Sequence, residues 1–416
     1  MRKFMALGLM LALSYLVLAS VTLMWFTDGP DLEVIQKQVE RFEKQTGEKV
    51  EILNIPYYQN YKTKLTTMAR GGTPPDVART TDILYLMEYG LDLTPYIEKY
   101  TGMTVEEWLN NVSLYKSAFK KVAERFGKIV GIPYTSDAHA VFYNKEIFKK
   151  AGIEVPKNRP WTVDEWYEAM KKIKESGAAK YALVYDYSPY RFSNLLYVFG
   201  GGIWDPAGTK IIADSPESIE ALEFFVKLHD EGLIPKSVWL SGDAPFKYFQ
   251  NGLAAMYVSG TWMLAEFKEK LKFPWGAIMF PFKRVRTVMT GGKYIVPFTE
   301  KGAELAFFLT NKENLTEFAQ SLSLIPDRKD LSGKVEFSDP VISEVYNVIM
   351  KDLADSTRGS MVADWYDPDT SVVVQENYAK IRSYIASAVA HEKTPAQALK
   401  ELANFLREEY KKKQGQ

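Results

Sequence analysis

Between residues 21 and 80 the chain alternates short apolar strands with amphipathic helices, and that rhythm narrows its fold more than any other feature. VTLMWF (21–26) is rich in β-branched and aromatic residues and is stopped by Thr-Asp-Gly-Pro, the way a buried strand ends. Leu32, Ile35, Val39 and Phe42 then recur at helical spacing until Gly47. KVEILNIP (49–56) predicts a second strand, NYKTKLTTMARGG (60–72) a second helix, and PPDVART (74–80) a third strand. This β-α-β-α-β order builds a parallel sheet layered with helices.

The alternation resumes further along. After helices over 105–125, GKIVGIPYTSDAHAVFYN (127–144) predicts a strand pair. Thr162 with Glu165 forms a capping box for a helix that closes on Gly177, and KYALVYDY (180–187) is a strand. Ser215-Pro216 caps another helix. LAAMYVSG (253–260) and WGAIMFPF (275–282) are strands on either side of the helix TWMLAEFKEKL. KYIVPF (293–298) is a further strand, and the remainder is helical. The last helix starts at Thr394-Pro395 and carries Leu399, Leu402, Leu406 and Tyr410 on one face. A chain of 416 residues exceeds what one core usually holds, so two lobes are expected.

Charge and composition remove several function classes. Lys+Arg and Asp+Glu balance at 52 each, and the only basic cluster is Lys411–Lys413, which gives nucleic-acid binding little electrostatic support. With no cysteine there is no disulfide, thiolate metal site, cysteine nucleophile or lipidated cysteine. At the N-terminus, Met1-Arg2-Lys3 precedes an almost wholly apolar Phe4–Leu18, with Val17 and Ala19 placed for cleavage before Ser20. Residues 1–19 fit a cleaved export signal or an uncleaved membrane anchor, and the sequence leaves both open.

Reaction signatures are absent: no HExxH, GxSxG or P-loop, and no GxGxxG opening a helix after a strand. His139, His229 and His391 lack ligand spacing, and Asp367-Pro368-Asp369 is better read as a turn than as a cation loop. Gly200-Gly201-Gly202, before Ile203-Trp204, suits a turn or a close approach of backbone to a ligand. A glycosidase needs only two placed carboxylates, and 52 acids leave that class open as an alternative.

Six segments, in order, resemble the extracytoplasmic solute-binding proteins of ABC importers, the sugar-binding group that includes maltose-binding protein. They are MARGGTPPDVARTTD (68–82), KIVGIPYTSDAHAVFYNKEIFKKAGI (128–153), WTVDEW (161–166), FQNGLAAMYVSGTWML (249–264), LIPDRKDL (324–331) and TPAQALKELANFL (394–406). The resemblance implies a periplasmic-binding-protein-like type II fold: two α/β lobes joined by a multi-strand hinge, with the ligand cleft between them. It places 20–136 with 287–324 in the first lobe and 137–286 with 325–416 in the second. It also implies an exported, non-catalytic monomer without cofactor or metal that delivers a carbohydrate to membrane permease subunits.

The same resemblance nominates site residues. Sugar recognition needs flat apolar faces and planar polar groups. Trp262, Tyr190 and Trp365 match cleft aromatics, and Trp204 is a further aromatic candidate. Asp137 falls at the crossover, Asp28 and Asp82 follow the first and third strands, and Gly291-Gly292 look like a pair where backbone nears the ligand. Arg79, Arg191, Arg286 and Lys293 lie near the expected cleft edges and exceed what a neutral sugar requires. An anionic sugar derivative or a polyol phosphate, gripped bidentately by an arginine, is therefore the second expectation.

Overall fold

The computed structural model describes residues 20–415 except 28–29, 57–59, 113–115, 332 and 358–359; of 116–118 it describes only the backbone. The expected export signal or anchor over 1–19, and Asp28, lie outside the described residues. Nine strands occur among those described: β1 (Val21–Trp25), β2 (Val50–Asn54), β3 (Val77–Thr80), β4 (Ile132–Asn144), β5 (Tyr181–Tyr185), β6 (Ala254–Gly260), β7 (Trp275–Ile278), β8 (Thr290–Pro297) and β9 (Ile325–Pro326). They run in the order β2-β1-β3-β8-β4-β6-β5, with β7 and β9 also on β4.

The opening rhythm forms as its residues dictate. β2 and β3 flank β1 in parallel, with the helices Asp31–Thr46 and Tyr61–Arg70 as the crossovers. Gly47, at φ 77°, ends the first helix in the left-handed conformation that glycine adopts without strain. Asp76 joins the sheet together: one carboxylate oxygen accepts from Thr22 N and Oγ1 at 2.8 and 2.9 Å, the other from Thr299 Oγ1 at 2.7 Å. The expected capping box is present at Thr162/Glu165, and the helix that starts at Thr394-Pro395 has one as well, through Gln397.

One expectation is corrected. Residues 127–144 do not form a strand pair; they hold a single strand of 13 residues. Nothing in 132–144 supplies a turn, and a register irregularity between Pro133 and Thr135 accommodates the proline. The strand instead changes partners along its length. Ile132–Ala138 pair with β8 and β9, whereas His139–Asn144 pair with β6 and β7.

That change of partners separates two hydrophobic cores. One gathers Val21 through Tyr134 and Tyr294 through Leu324, with Leu331; the other gathers Ala138 through Met289, Ile325, and Ile342 through Leu406. The chain crosses between them on β4, at the start of β8, and at β9. Both long crossing strands are polar at the crossing: Thr135-Ser136-Asp137 on β4, and Thr290-Gly291-Gly292-Lys293 on β8. Among these Thr135, Ser136, Asp137, Thr290 and Lys293 are buried; Asp137 and Lys293 pair with each other, whereas the Thr135 and Ser136 hydroxyls have no hydrogen-bond partner among the described residues.

Candidate functional site

Asp137 stands directly opposite Gly291 in the β4–β8 ladder. Its Oδ2 accepts from Lys293 Nζ at 2.6 Å, with side-chain exposures of 10% and 5%. A pair this buried holds both charges in place, because removing either leaves the other uncompensated. Gly291 lacks a side chain for a local reason. A Cβ there would lie 2.9 Å from the Tyr190 hydroxyl. Gly292 is similarly tight, since its Cβ would lie 3.1 Å from the Thr135 carbonyl across the ladder.

Tyr190 enters from the first turn of the helix Pro189–Phe199, whose N-cap Ser188 and N1 proline fix where it begins. Its hydroxyl donates to the Thr290 carbonyl at 2.6 Å. Tyr366 donates to the same carbonyl, and the two tyrosine oxygens are 2.5 Å apart. Burial pushes the Tyr190 hydroxyl above its ordinary range, so it remains protonated. The Trp365 ring meets Tyr190 edge-on, centroids 4.8 Å apart. Its indole N–H donates to Tyr197 at 2.9 Å, and Tyr197 donates to the buried carboxylate of Asp364 at 2.8 Å.

Trp262 follows β6 in a 3₁₀ turn and is partly exposed. Its ring rests on the backbone of Gly260, where a Cβ would overlap the indole. The guanidinium carbon of Arg191 lies 4.1 Å from the Trp262 ring centroid, within cation–π range. Arg191 Nε donates to Asp186 at 3.2 Å, and Asp186 also accepts from the Tyr257 hydroxyl at 2.7 Å. Burial pushes the Asp186 carboxyl up, and Arg191 opposes the shift.

His139 completes the cluster, at 1% exposure, edge-on to both Tyr190 and Trp262. Its Nδ1 is 2.6 Å from Asn194 Nδ2, while Asn194 Oδ1 accepts from Met289 N; this assigns the ring proton to Nε2. Burial, with Arg191 nearby, holds the imidazole well below its usual range and therefore neutral.

Of the nominated residues, Trp262, Asp137, Tyr190, Trp365 and Gly291 come together at the crossing of the two cores, with Gly292 beside them. Asp82 lies two residues beyond β3; its carboxylate caps the turn at Leu84 (2.9 Å) and pairs with Lys62 (3.3 Å). Two nominations are corrected. Arg79 is fully buried in the first core, over the rings of Trp25 and Phe26 and 2.6 Å from Asp31. Trp204 is 1% exposed in the second core, edge-on to Tyr410 of the last helix, with no face left for a ligand. Asp186, Tyr257 and Tyr366 were missed. A carboxylate just after β5 and a tyrosine beside Trp365 were the available signals.

The four cations that looked surplus each have an acid of their own: Arg79–Asp31 at 2.6 Å, Arg191–Asp186 at 3.2 Å, Arg286–Asp352 at 3.1 Å and Lys293–Asp137 at 2.6 Å. Asp367 and Asp369 form the expected turn, and they also bridge the cores. Lys121 pairs with Asp367, and Arg125 with Asp369 at 3.0 Å, from the helix Lys116–Phe126. Among the described residues no cluster of three His, Asp or Glu could hold a metal ion.

Comparison with known proteins gives this geometry a context. Residues 27–314 match the family model of the bacterial extracellular solute-binding proteins. YcjN of Escherichia coli K12, named as a candidate ABC-transporter periplasmic-binding protein, is 27% identical over 56% of this chain and 53% of its own. The multiple sugar-binding protein of Streptococcus mutans is 24% identical over 65% of each chain. The chain thus spans about half of the first relative and 65% of the second. An ABC substrate-binding protein of Listeria monocytogenes, solved in complex with cycloalternan, superposes with a TM-score of 0.78 at 22% identity, over 94% of this chain and 98% of that one. Its likeness shows the two-lobed fold.

Proposed function

The chain belongs to the bacterial extracellular solute-binding proteins, and on that premise we propose that it captures a neutral saccharide between its lobes and passes it to a membrane ABC permease. The observation that carries this reading is the gathering of Trp262, Tyr190 and Trp365 around two internally neutralised ion pairs where the strands cross. Aromatic rings supply packing surface for the C–H face of a sugar, and the paired charges supply hydrogen-bonding atoms without net charge. The names of the Streptococcus sugar-binding protein and of the cycloalternan complex support the same class.

The anionic alternative loses its motive, because every cation that suggested it has its own acid. Hydrolysis loses support as well. Asp137 is held by Lys293, and Asp186 by Arg191 and Tyr257, which leaves neither as a free acid–base pair member. We therefore read the protein as a non-catalytic, monomeric binder working outside the cytoplasmic membrane. The lobe division at 136/137 and 324/325 is supported by the points where the chain changes core; at the middle crossing Val288 and Met289 still pack in the second core, so the change falls after Met289 and not at 286/287. Among the described residues no helix is long and apolar enough to cross a membrane.

A thermal-shift screen across neutral and acidic saccharides tests the reading. A cognate sugar at a hundredfold excess over Kd adds about 2.7 kcal/mol of stability, with a change in tryptophan fluorescence. If no saccharide moves the melting temperature, carbohydrate capture is wrong. If an oligosaccharide is cleaved at catalytic protein concentrations, non-catalysis is wrong.

A further inference from the structure

Arg191 differs from the other cations at the crossing in what its donors are given to do. A guanidinium carries five N–H donors in a rigid fork. Nε donates to Asp186, and Asp186 is fixed in turn by Tyr257, so the fork is oriented from behind. The residue's own backbone is pinned too: its N–H donates to Ser188 Oγ, and its carbonyl accepts from Tyr185 and Asn194 at 3.1 and 3.0 Å. Yet among the described residues no protein group accepts from Nη1 or Nη2. The side chain is 18% exposed, over the Trp262 ring and 5.5 Å from the Tyr190 centroid. Beside the same two rings, the buried Nε2 of His139 has no hydrogen-bond partner. A buried donor without an acceptor is costly unless something else supplies one.

We propose that Arg191 is a ligand-contacting residue that sets saccharide specificity, its Nη edge donating to two neighbouring hydroxyl oxygens of a neutral sugar ring seated at Trp262. This rests on the saccharide reading above. The charge of Arg191 is already balanced by Asp186, so the fork selects for the spacing of two acceptors and not for negative charge. Because fork and ring are both held in place before a ligand arrives, little ordering is left to be done on binding. Inverting one hydroxyl of the sugar leaves an Nη donor unmet, which is the kind of mismatch a polar site discriminates most strongly.

The test uses the full chain and titration calorimetry with two pairs that differ only in the configuration of one hydroxyl, cellobiose and lactose, and isomaltose and melibiose, together with maltose and raffinose, plus glucuronate and galacturonate. Wild type is expected to bind one or more neutral probes and to discriminate among them. Arg191→Gln should weaken the best probe roughly tenfold to a hundredfold and compress the ratio between probes that differ at one hydroxyl. Arg191→Lys keeps the charge facing Asp186 without the fork, so it should compress that ratio as well. It also serves where Arg191→Gln does not fold. A uniform loss with unchanged ranking, or wild-type affinities in both variants, overturns the role of Arg191 and leaves saccharide capture standing. Binding of glucuronate or galacturonate alone overturns the neutral class. No binding of any probe by wild type overturns this assignment together with the reading beneath it.

Discussion

Arg79 and Arg191 are each held by an aspartate and each lie over a tryptophan ring, yet they stand in opposite situations. Arg79 is wholly enclosed: Trp25 and Phe26 pack on it at 4.6 Å, and its Nη1 donates to Asp31 and to the Phe26 carbonyl, both at 2.6 Å. Arg191 is anchored through Nε alone, and among the described residues no protein group accepts from its Nη atoms. The residue types and partners match; what differs is enclosure, 0% exposure for Arg79 against 18% for the Arg191 side chain. An arginine sealed inside a core can serve only the fold, and one that reaches the surface with donors to spare can recognise something else.

The largest test of this contrast is Arg79→Ala. It leaves Asp31 charged and buried, so stability should fall by about 3–5 kcal/mol, read by urea denaturation. A fully stable Arg79→Ala protein would erase the distinction. Arg191→Gln removes the cation of Asp186 but leaves its Tyr257 hydrogen bond and partial exposure, so it should cost less stability than Arg79→Ala while changing ligand selection.

A buried carboxylate without a cation sharpens the point. Asp364 accepts from Ile203 N at 3.0 Å, Trp204 N at 2.7 Å and the Tyr197 hydroxyl, and burial pushes its pKa up to about 7. For an acid raised in the folded state, the native form binds more protons than the unfolded form between the ordinary value of 3.8 and about 7. This group's contribution to stability is therefore present below that window and lost as pH rises through it. His229 works in the other direction. Its pKa is lowered to about 4 by burial, so stability from this group is present above the ordinary 6.5 and lost as pH falls toward 4. The two windows overlap and their slopes oppose, so they largely offset in the wild type. In denaturation midpoints, Asp364→Asn should leave stability rising with pH between about 4 and 6.5 through His229, and His229→Gln should leave it falling between 3.8 and about 7 through Asp364. A wild-type slope in both would mean that neither group titrates on unfolding.

The smallest effect belongs to a third arginine. Arg125 pairs with Asp369 across the two cores, but the side chains are 61% and 45% exposed. Arg125→Ala should change stability by less than about 1 kcal/mol, and high salt should remove even that. A larger, salt-insensitive loss would put this bridge in the same class as Arg79.

Much of this was legible locally. The opening alternation, the caps at Thr162, Ser215 and Thr394, and the strand ends depend on residues only a few positions apart. The contrast between Arg79 and Arg191 was not. β3 is buried on both faces, so no period-2 pattern marks Arg79 as inward. Trp204 looked free beside its glycines because the ring that covers it, Tyr410, comes about 200 positions later. The strand pair expected over 127–144 failed for a similar reason: a change of partner partway along β4 leaves no turn signal in the sequence. Trp262 directly follows β6 and Tyr190 sits in the first turn of a helix, positions where short motifs survive, whereas Asp137, in the middle of β4, was nominated by the family resemblance alone.

The position of β8 in the sheet also bears on how the chain is made. This strand fills the gap between β3 and β4, although it comes more than 140 residues after β4 begins. A nascent chain leaving the ribosome therefore carries an open β3 edge through most of its synthesis, with its natural occupant not yet translated. Such an edge invites pairing with the wrong strand. The first lobe, though started first, must be completed late, and any factor that keeps the growing polypeptide from premature association has its longest task there.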